Sequence, residues 1–297
     1  MTRRASNISG PTRLAIWFGK GGVGKSTTTM MLSLFAARRG QRILTIDLDP
    51  ECGTSRDFLG KQLPGVQTNL KTFLESPLPI APPVLSSGID GVDIVPCAPE
   101  EQRFFRLFPE KSTKLREALD LLPTTYDWIL IDVPNQFDNV AELGLIAADY
   151  LILPVELTAD CVERVPTALR IIREARAFNP SLTVLGVLAL ASVPRGGQPM
   201  GLSAKERLIL REYEEAFKHD DIRLFKTIMF RSATTVEEAR SNADEGLLHW
   251  TVRRRFKHLF AELHARIASR ALIRSPLPHA KRHRTAQQSR TPATANA

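Results

Sequence analysis

The nine residues Gly19-Lys20-Gly21-Gly22-Val23-Gly24-Lys25-Ser26-Thr27 constrain the fold of this chain more than any other stretch. A strand-like apolar run, Leu14 to Phe18, enters them, and a helix-patterned run, 26 to 39, leaves them. The spacing satisfies G-x-x-x-x-G-K-[ST] in the strand-to-helix context that the motif needs. Small residues let successive backbone N–H groups turn inward around phosphate oxygens, and the helix that follows aims its positive end at the same point. Gly21, Gly22, Val23, Gly24, Lys25, Ser26 and Thr27 therefore form a candidate nucleotide-phosphate cradle. In it Lys25 reaches the β- and γ-phosphates and Ser26 ligates Mg²⁺.

The rest of the chain continues the same alternation. Further strands are predicted at 42–47, 92–96, 128–132, 150–154, 182–190 and 225–230. Helices are predicted near 111–122, 137–147, 160–178, 203–219, 234–242 and 246–270. Apolar strands separated by amphipathic helices predict an α/β fold, an open, mostly parallel twisted sheet with helices on both faces. With 297 residues, 43% of them hydrophobic, the chain has enough apolar surface for such a core. Its longest apolar runs fall short of the roughly 20 residues of a membrane-spanning helix. Three cysteines, at 52, 97 and 161, are odd in number and widely spaced, which suits a reducing compartment.

Two acidic segments accompany the loop. Ile43-Leu44-Thr45-Ile46-Asp47-Leu48-Asp49-Pro50-Glu51 ends a strand in two carboxylates, and Trp128-Ile129-Leu130-Ile131-Asp132 ends another in one. Ligands of open α/β sheets bind at that end of the strands. Phosphoryl transfer to water needs a positioned nucleophile and neutralised phosphates, and carboxylates there can serve both. Lys20, next to the first glycine, adds a second lysine to the loop. Together these residues resemble the ParA/MinD group of P-loop ATPases with a deviant Walker A motif, closest to the ParA-type partition ATPases.

The resemblance implies that Lys20 crosses a dimer interface to the partner's nucleotide. It also implies that Asp49 orients the attacking water, that Asp47 and Asp132 hold hydrated Mg²⁺ with Ser26, and that the cofactors are ATP and Mg²⁺. Four positions depart from the family pattern: Glu51 stands for glutamine, Asn135 for the second proline of D-x-P-P, Phe230 for the proline of an I-P-R segment, and Arg240 for the proline of an E-A-P segment. The stretch Thr227-Ile228-Met229-Phe230-Arg231 resembles the region that frames adenine in relatives, making Phe230 and Arg231 candidate base contacts. Core packing is the competing reading of Phe230.

The formal charge of +8 is unevenly spread. Residues 14–249 carry −5, while residues 1–13, 250–270 and 271–297 carry +3, +5 and +5. The domain reading follows: a basic N-terminal extension at 1–13, a P-loop ATPase domain at 14–270, and a basic tail at 271–297 too poor in apolar residues to order itself. Val252, Phe256, Leu259, Phe260, Leu263 and Ile267 recur at helical spacing, so Arg253, Arg254, Arg255 and Lys257 are expected to face outward from the last helix. By resemblance to the partition branch, these four are candidate contacts to nonspecific DNA.

The function that follows is an ATP-dependent dimerising switch, a weak ATP hydrolase until stimulated. It would act in the cytoplasm on the nucleoid, in plasmid or chromosome partition or cargo positioning. Its expected partners are a second copy of the chain and a centromere-binding or cargo adaptor protein. Two alternatives stay open: a MinD-like membrane- or protein-associated positioning ATPase, and a metabolic ATPase or ligase on the same fold. The tail lacks the apolar face of a terminal membrane helix, which makes membrane attachment unlike this chain. No C-x-x-C pair suggests an iron–sulfur cluster, and with the loop so early a preceding helix-turn-helix domain is not expected.

Overall fold

A computed structural model of the chain describes residues 10–60, 74, 83–97, 112–122, 125–136, 139–192, 201–230 and 250–274. Its centre is an eight-stranded sheet in the order β3-β4-β2-β5-β1-β6-β7-β8. The strands are β1 (Thr12–Ile16), β2 (Ile43–Asp47), β3 (Leu85–Ile89), β4 (Val92–Val95), β5 (Trp128–Asp132), β6 (Tyr150–Glu156), β7 (Thr183–Ala191) and β8 (Met229–Phe230). All neighbours are parallel except β3 and β4.

Every residue of β2 and β5 is buried, the continuous apolar pattern expected of parallel strands covered on both faces. The helices are α1 (Lys25–Ala37), α2 (Gly53–Leu59), α3 (Lys114–Asp120), α4 (Asn139–Ala147), α5 (Ala159–Val162), α6 (Val165–Phe178), α7 (Ala204–Phe217) and α8 (Trp250–Arg274). Helix α1 packs against α2 and α8, while α3, α4, α6 and α7 pack in succession. Right-handed crossovers put these two groups on opposite faces, because β1 leads to β2 on one side and β5 leads to β6 on the other. The strand order thus reverses beside β1, and the C-terminal ends of β1, β2 and β5 open on the crevice where such folds take ligands.

Four elements differ from the pattern-based expectation. Residues 160–178 form two helices, not one, because Pro166 starts a new helix in its first turn, where its missing N–H costs nothing. The strand expected at 225–230 shrinks to Met229 and Phe230, with one further bridge at Leu224. Strand β3 was not expected; it folds back on β4 through Asp90-Gly91, with Gly91 at φ 78. Helix α2 was also missed. The helix expected at 234–242, Arg231, Arg240 and the tail from 275 onward lie outside the described residues, as do residues 1–9.

Candidate active site

The loop between β1 and α1 is shaped by its glycines. Gly22 and Gly24 hold left-handed φ values of 77 and 80, which residues with a Cβ adopt only at a cost. A Cβ on Gly24 would stand 2.5 Å from Leu190, and one on Gly21 would stand 2.8 Å from the Asn135 side chain. Val23 is buried and anchors the loop, whereas Gly21 and Gly22 are exposed, and Ser26 and Thr27 are half-buried. Lys25 opens α1, is only 6% exposed, and donates from Nζ to the Lys20 carbonyl at 3.4 Å.

Beside the loop, Asp47 and Asp132 end adjacent strands in direct register, and both are fully buried. Their settings differ. Asp47 Oδ1 accepts the Asp49 N–H at 3.0 Å, and its Oδ2 accepts the N–H and hydroxyl of Ser55, each at 2.7 Å. Asp132 Oδ2 accepts the Thr54 hydroxyl at 2.6 Å, while its Oδ1 is buried with no hydrogen-bond partner among the described residues. Burial pushes the Asp132 carboxyl up to about 6, against hydrogen bonds from Thr54 and Ser26 and the charge of Lys25. Burial and the neighbouring Asp132 raise Asp47 well above the ordinary carboxylate range. Asp49, 6% exposed, accepts the Glu51 N–H at 3.0 Å.

Lys20 does not point into the cradle. Its Nζ lies 2.7 Å from Asp160 Oδ2, 3.4 Å from Glu156 Oε2 and 3.5 Å from Thr158 Oγ1, which run from the end of β6 into α5. Partial burial works against its charge, but these partners, Asp160 first among them, hold its pKa above the ordinary value. Lys20 in turn pulls the Asp160 carboxyl down to about 2, helped by a hydrogen bond from Thr158. Arg164, at the start of α6, donates to the Gly19 carbonyl at 3.1 Å. None of Thr54, Ser55, Asp160 and Arg164 was singled out by sequence. The run Gly53-Thr54-Ser55 after the acidic turn was a usable signal; nothing in the sequence pointed to Arg164.

The other candidate residues are placed apart from the cradle. Phe230 sits at the same end of the sheet, at the tip of β8, beneath the Arg255 guanidinium at 4.2 Å. Arg255 also donates to the Ile228 carbonyl, so it is turned to the protein and not outward as its place in the basic run suggested. Arg253, Arg254 and Lys257 are exposed. Phe256, Leu259, Phe260, Leu263 and Ile267 are buried against the sheet.

A donor set for magnesium is present in this arrangement. Asp132 keeps its Oδ1 free of hydrogen bonds among the described residues, and the Ser26 hydroxyl interacts with the same carboxylate. No group of three or more His, Cys, Asp or Glu side chains is placed to hold an ion among the described residues. Such sparse ligation fits an ion that arrives with nucleotide phosphates and keeps most of its waters.

A sheet of this order, with a glycine-rich lysine loop after its first strand and buried carboxylates on the two strands beside it, defines a P-loop nucleotide hydrolase. The AAA_31 family profile, described as AAA domain, matches residues 12–184. The chain is 34% identical over 178 residues to the chromosome-partitioning ATPase Soj of Thermus thermophilus, covering 59% of this chain and 68% of that one. To the sporulation initiation inhibitor protein Soj of Bacillus subtilis it is 26% identical over 240 residues, covering 80% and 90%. Cobyrinic acid a,c-diamide synthase of Mycobacterium smegmatis, solved with an ATP analogue and magnesium, shares the fold at a TM-score of 0.64 and 22% identity, over 82% of this chain and 98% of that one.

The chain belongs to this AAA-domain family and, within it, to the ParA-type partition ATPases. Among the described residues no helix is long and apolar enough to cross a membrane.

Proposed function

We propose that the chain is an ATP-driven dimerising switch that binds nonspecific DNA and partitions a plasmid or chromosome region, or positions another cargo, over the nucleoid. The observation that carries this reading is Lys20. It stands on the phosphate loop yet turns to the loop's outer flank, held by Asp160, Glu156 and Thr158, as suits a lysine meant for a nucleotide other than its own. ATP binds to the backbone of residues 21–27, with Lys25 neutralising phosphate charge. Ser26 and Asp132, helped by Asp47, hold hydrated Mg²⁺, which screens phosphate charge when bound. Asp47 fixes the Asp49 backbone and the start of α2, and Asp49 orients the attacking water. Phe230 and Arg231 contact the base.

Hydrolysis is slow until a centromere-binding or cargo adaptor protein stimulates it. The body, 14–270, carries the cycle; the basic ends, 1–13 and 271–297, add polyanion affinity. Arg253, Arg254 and Lys257 contact backbone phosphates, and Arg255 shapes that surface from beneath. The protein works in the cytoplasm, on the nucleoid.

The test is binding to random-sequence duplex with ATP and with ADP across a salt series. ATP-dependent binding whose log–log slope steepens by about −0.9 per phosphate contact is expected. Equal binding in both nucleotides, or none at low salt, removes the switch. Lys20→Ala should bind ATP and stay monomeric, and Asp49→Ala should dimerise but lose turnover by about 100-fold or more. A normal Lys20→Ala dimer contradicts the shared-nucleotide arrangement.

A further inference from the structure

The basic run on α8 accounts for only part of the positive surface on that face. Helix α1 ends in Ala37-Arg38-Arg39-Gly40, and its last turn lies against α8, where Phe35 meets Phe260 edge-on with ring centroids 5.5 Å apart. The exposed Arg39 guanidinium stacks 3.6 Å over Phe35 and lies 5.3 Å from the Phe260 ring centroid, and its Nη1 donates to the Phe35 carbonyl at 3.0 Å. Residues 253, 257, 260 and 264 fall on one stripe of α8 by helical spacing. Because Phe260 of that stripe touches α1, Arg253 and Lys257 flank the seam.

The surface along the seam lacks compensating acid. Glu262 is the only acidic residue in α8, and it is turned inward to the Lys226 and Thr227 N–H groups and to Arg266. Near α1, Asp93 and Asp127 are engaged by Arg42, and the exposed Asp90 lines the cleft beside Ala37 and Gly40 without pairing with Arg39. Among the described residues, no carboxylate pairs with Arg39, Arg253 or Lys257. Burial first, and the nearby Arg253 charge second, lower the Arg39 pKa. Burial together with Arg39 likewise lowers His264. Like charges held together without a counter-charge repel in the free protein, and a polyanion relieves that repulsion.

We propose that Arg39 is a phosphate-contacting residue of a composite DNA surface, so that a duplex lies across the seam between α1 and α8 and not along α8 alone. This rests on the DNA reading above and adds to it a second element of the surface. It also supplies a physical route from nucleotide to DNA. Helix α1 starts at Lys25 of the phosphate loop and delivers Arg38 and Arg39 at its far end. Its 13 residues make a rod of roughly 20 Å at about 1.5 Å per residue. One helix thus joins the phosphate loop to the seam.

The decisive variant is Arg39→Met, which keeps an apolar stem over Phe35 and Phe260 and removes the charge; Arg39→Lys restores it. Binding to random duplex with ATP is measured across a salt series beside Arg253→Met. Arg39→Met should weaken binding about 5- to 10-fold near 0.1 M salt and make the log–log slope shallower by about one. Arg39→Lys should recover most of both, with ATP affinity unchanged and the melting temperature no lower than wild type. If Arg39→Met leaves affinity and slope untouched while Arg253→Met reduces them, the composite surface is wrong and the DNA reading stands. If the wild type fails to bind duplex at low salt, both fall. If Arg39→Met weakens binding to phosphatidylserine vesicles alone, the surface serves lipid and the proposal is overturned.

Discussion

Asp132 offers a stability measurement that needs no partner or substrate. Its carboxyl is fully buried and is raised from 3.8 to about 6, chiefly by that burial. A carboxyl that holds its proton more tightly folded than unfolded contributes stability that is complete below its unfolded pKa and is lost as pH rises through its folded pKa. The window here runs from about 4 to about 6, and at roughly 1.4 kcal/mol per pH unit the loss by pH 7.5 is about 3 kcal/mol. Asp47, raised in the same direction by burial and by Asp132, adds to the slope. Asp132→Asn keeps an acceptor for the Thr54 hydroxyl and cannot ionise. In chelator at pH 7.5 it should unfold at higher denaturant than wild type by about 3 kcal/mol, or roughly 6 °C higher at about 2 °C per kcal/mol for a domain of this size. The gap should fall to about half by pH 5 and close below about pH 4. Adding Mg²⁺ and an ATP analogue should stabilise wild type and leave the asparagine variant nearly unmoved. A variant less stable than wild type at pH 7.5, or a gap indifferent to pH, would refute the claim that an ionised Asp132 strains the nucleotide-free fold.

Two further perturbations follow from the loop. Asp160→Asn removes the carboxylate 2.7 Å from Lys20, so ATP-driven dimerisation, followed by size-exclusion chromatography, should occur at lower nucleotide concentration; an unchanged midpoint means the ion pair restrains nothing. Gly21→Ala drives a methyl to 2.8 Å from the Asn135 side chain and should lower ATP affinity about 10-fold, since a displaced loop loses backbone N–H contacts to phosphate. Asn135→Gly in the same chain should restore it, as measured with a fluorescent nucleotide, and failure of that rescue would show that another contact sets the loop.

The parts of this site that could be read from sequence are those whose chemistry is carried by consecutive residues. Gly19 to Thr27 specify their own turn, and the acids at 47, 49 and 132 lie at the ends of apolar runs whose burial identifies them as strands. What could not be read depends on contacts between distant segments. Arg164 reaches Gly19 across 145 positions, and Asp160 reaches Lys20 from the other side of β6. Helix α2 is only seven residues long, too short to show a helical period. It is held by Asp47, whose carboxylate accepts the Ser55 N–H. The run 253–255 was misjudged at Arg255 for a related reason. Consecutive residues on a helix point about 100° apart, so three adjacent cations cannot share one outward face, and the one that turns inward meets Phe230 and the Ile228 carbonyl.

The same contacts explain how the chain tolerates its departures from the family pattern. At Glu51 the group that serves Asp49 is the backbone N–H, donated to Oδ1 at 3.0 Å, so exchanging glutamine for glutamate leaves the acceptor's geometry in place and changes only an exposed charge. The turn is closed independently by the Cys52 N–H, which donates to the Asp49 carbonyl at 2.7 Å. At Asn135 the replaced proline would have supplied a fixed φ but no polar atom. Asparagine gives up that stiffness and puts its amide against Gly21, on the phosphate loop itself. The segment after β5 thereby lays a side chain beside the nucleotide loop, leaving no room for a Cβ at residue 21, where a proline would act through backbone rigidity. A contact that close couples the two by sterics, so a displacement of Gly21 toward Asn135 should move the segment after Asp132 with it.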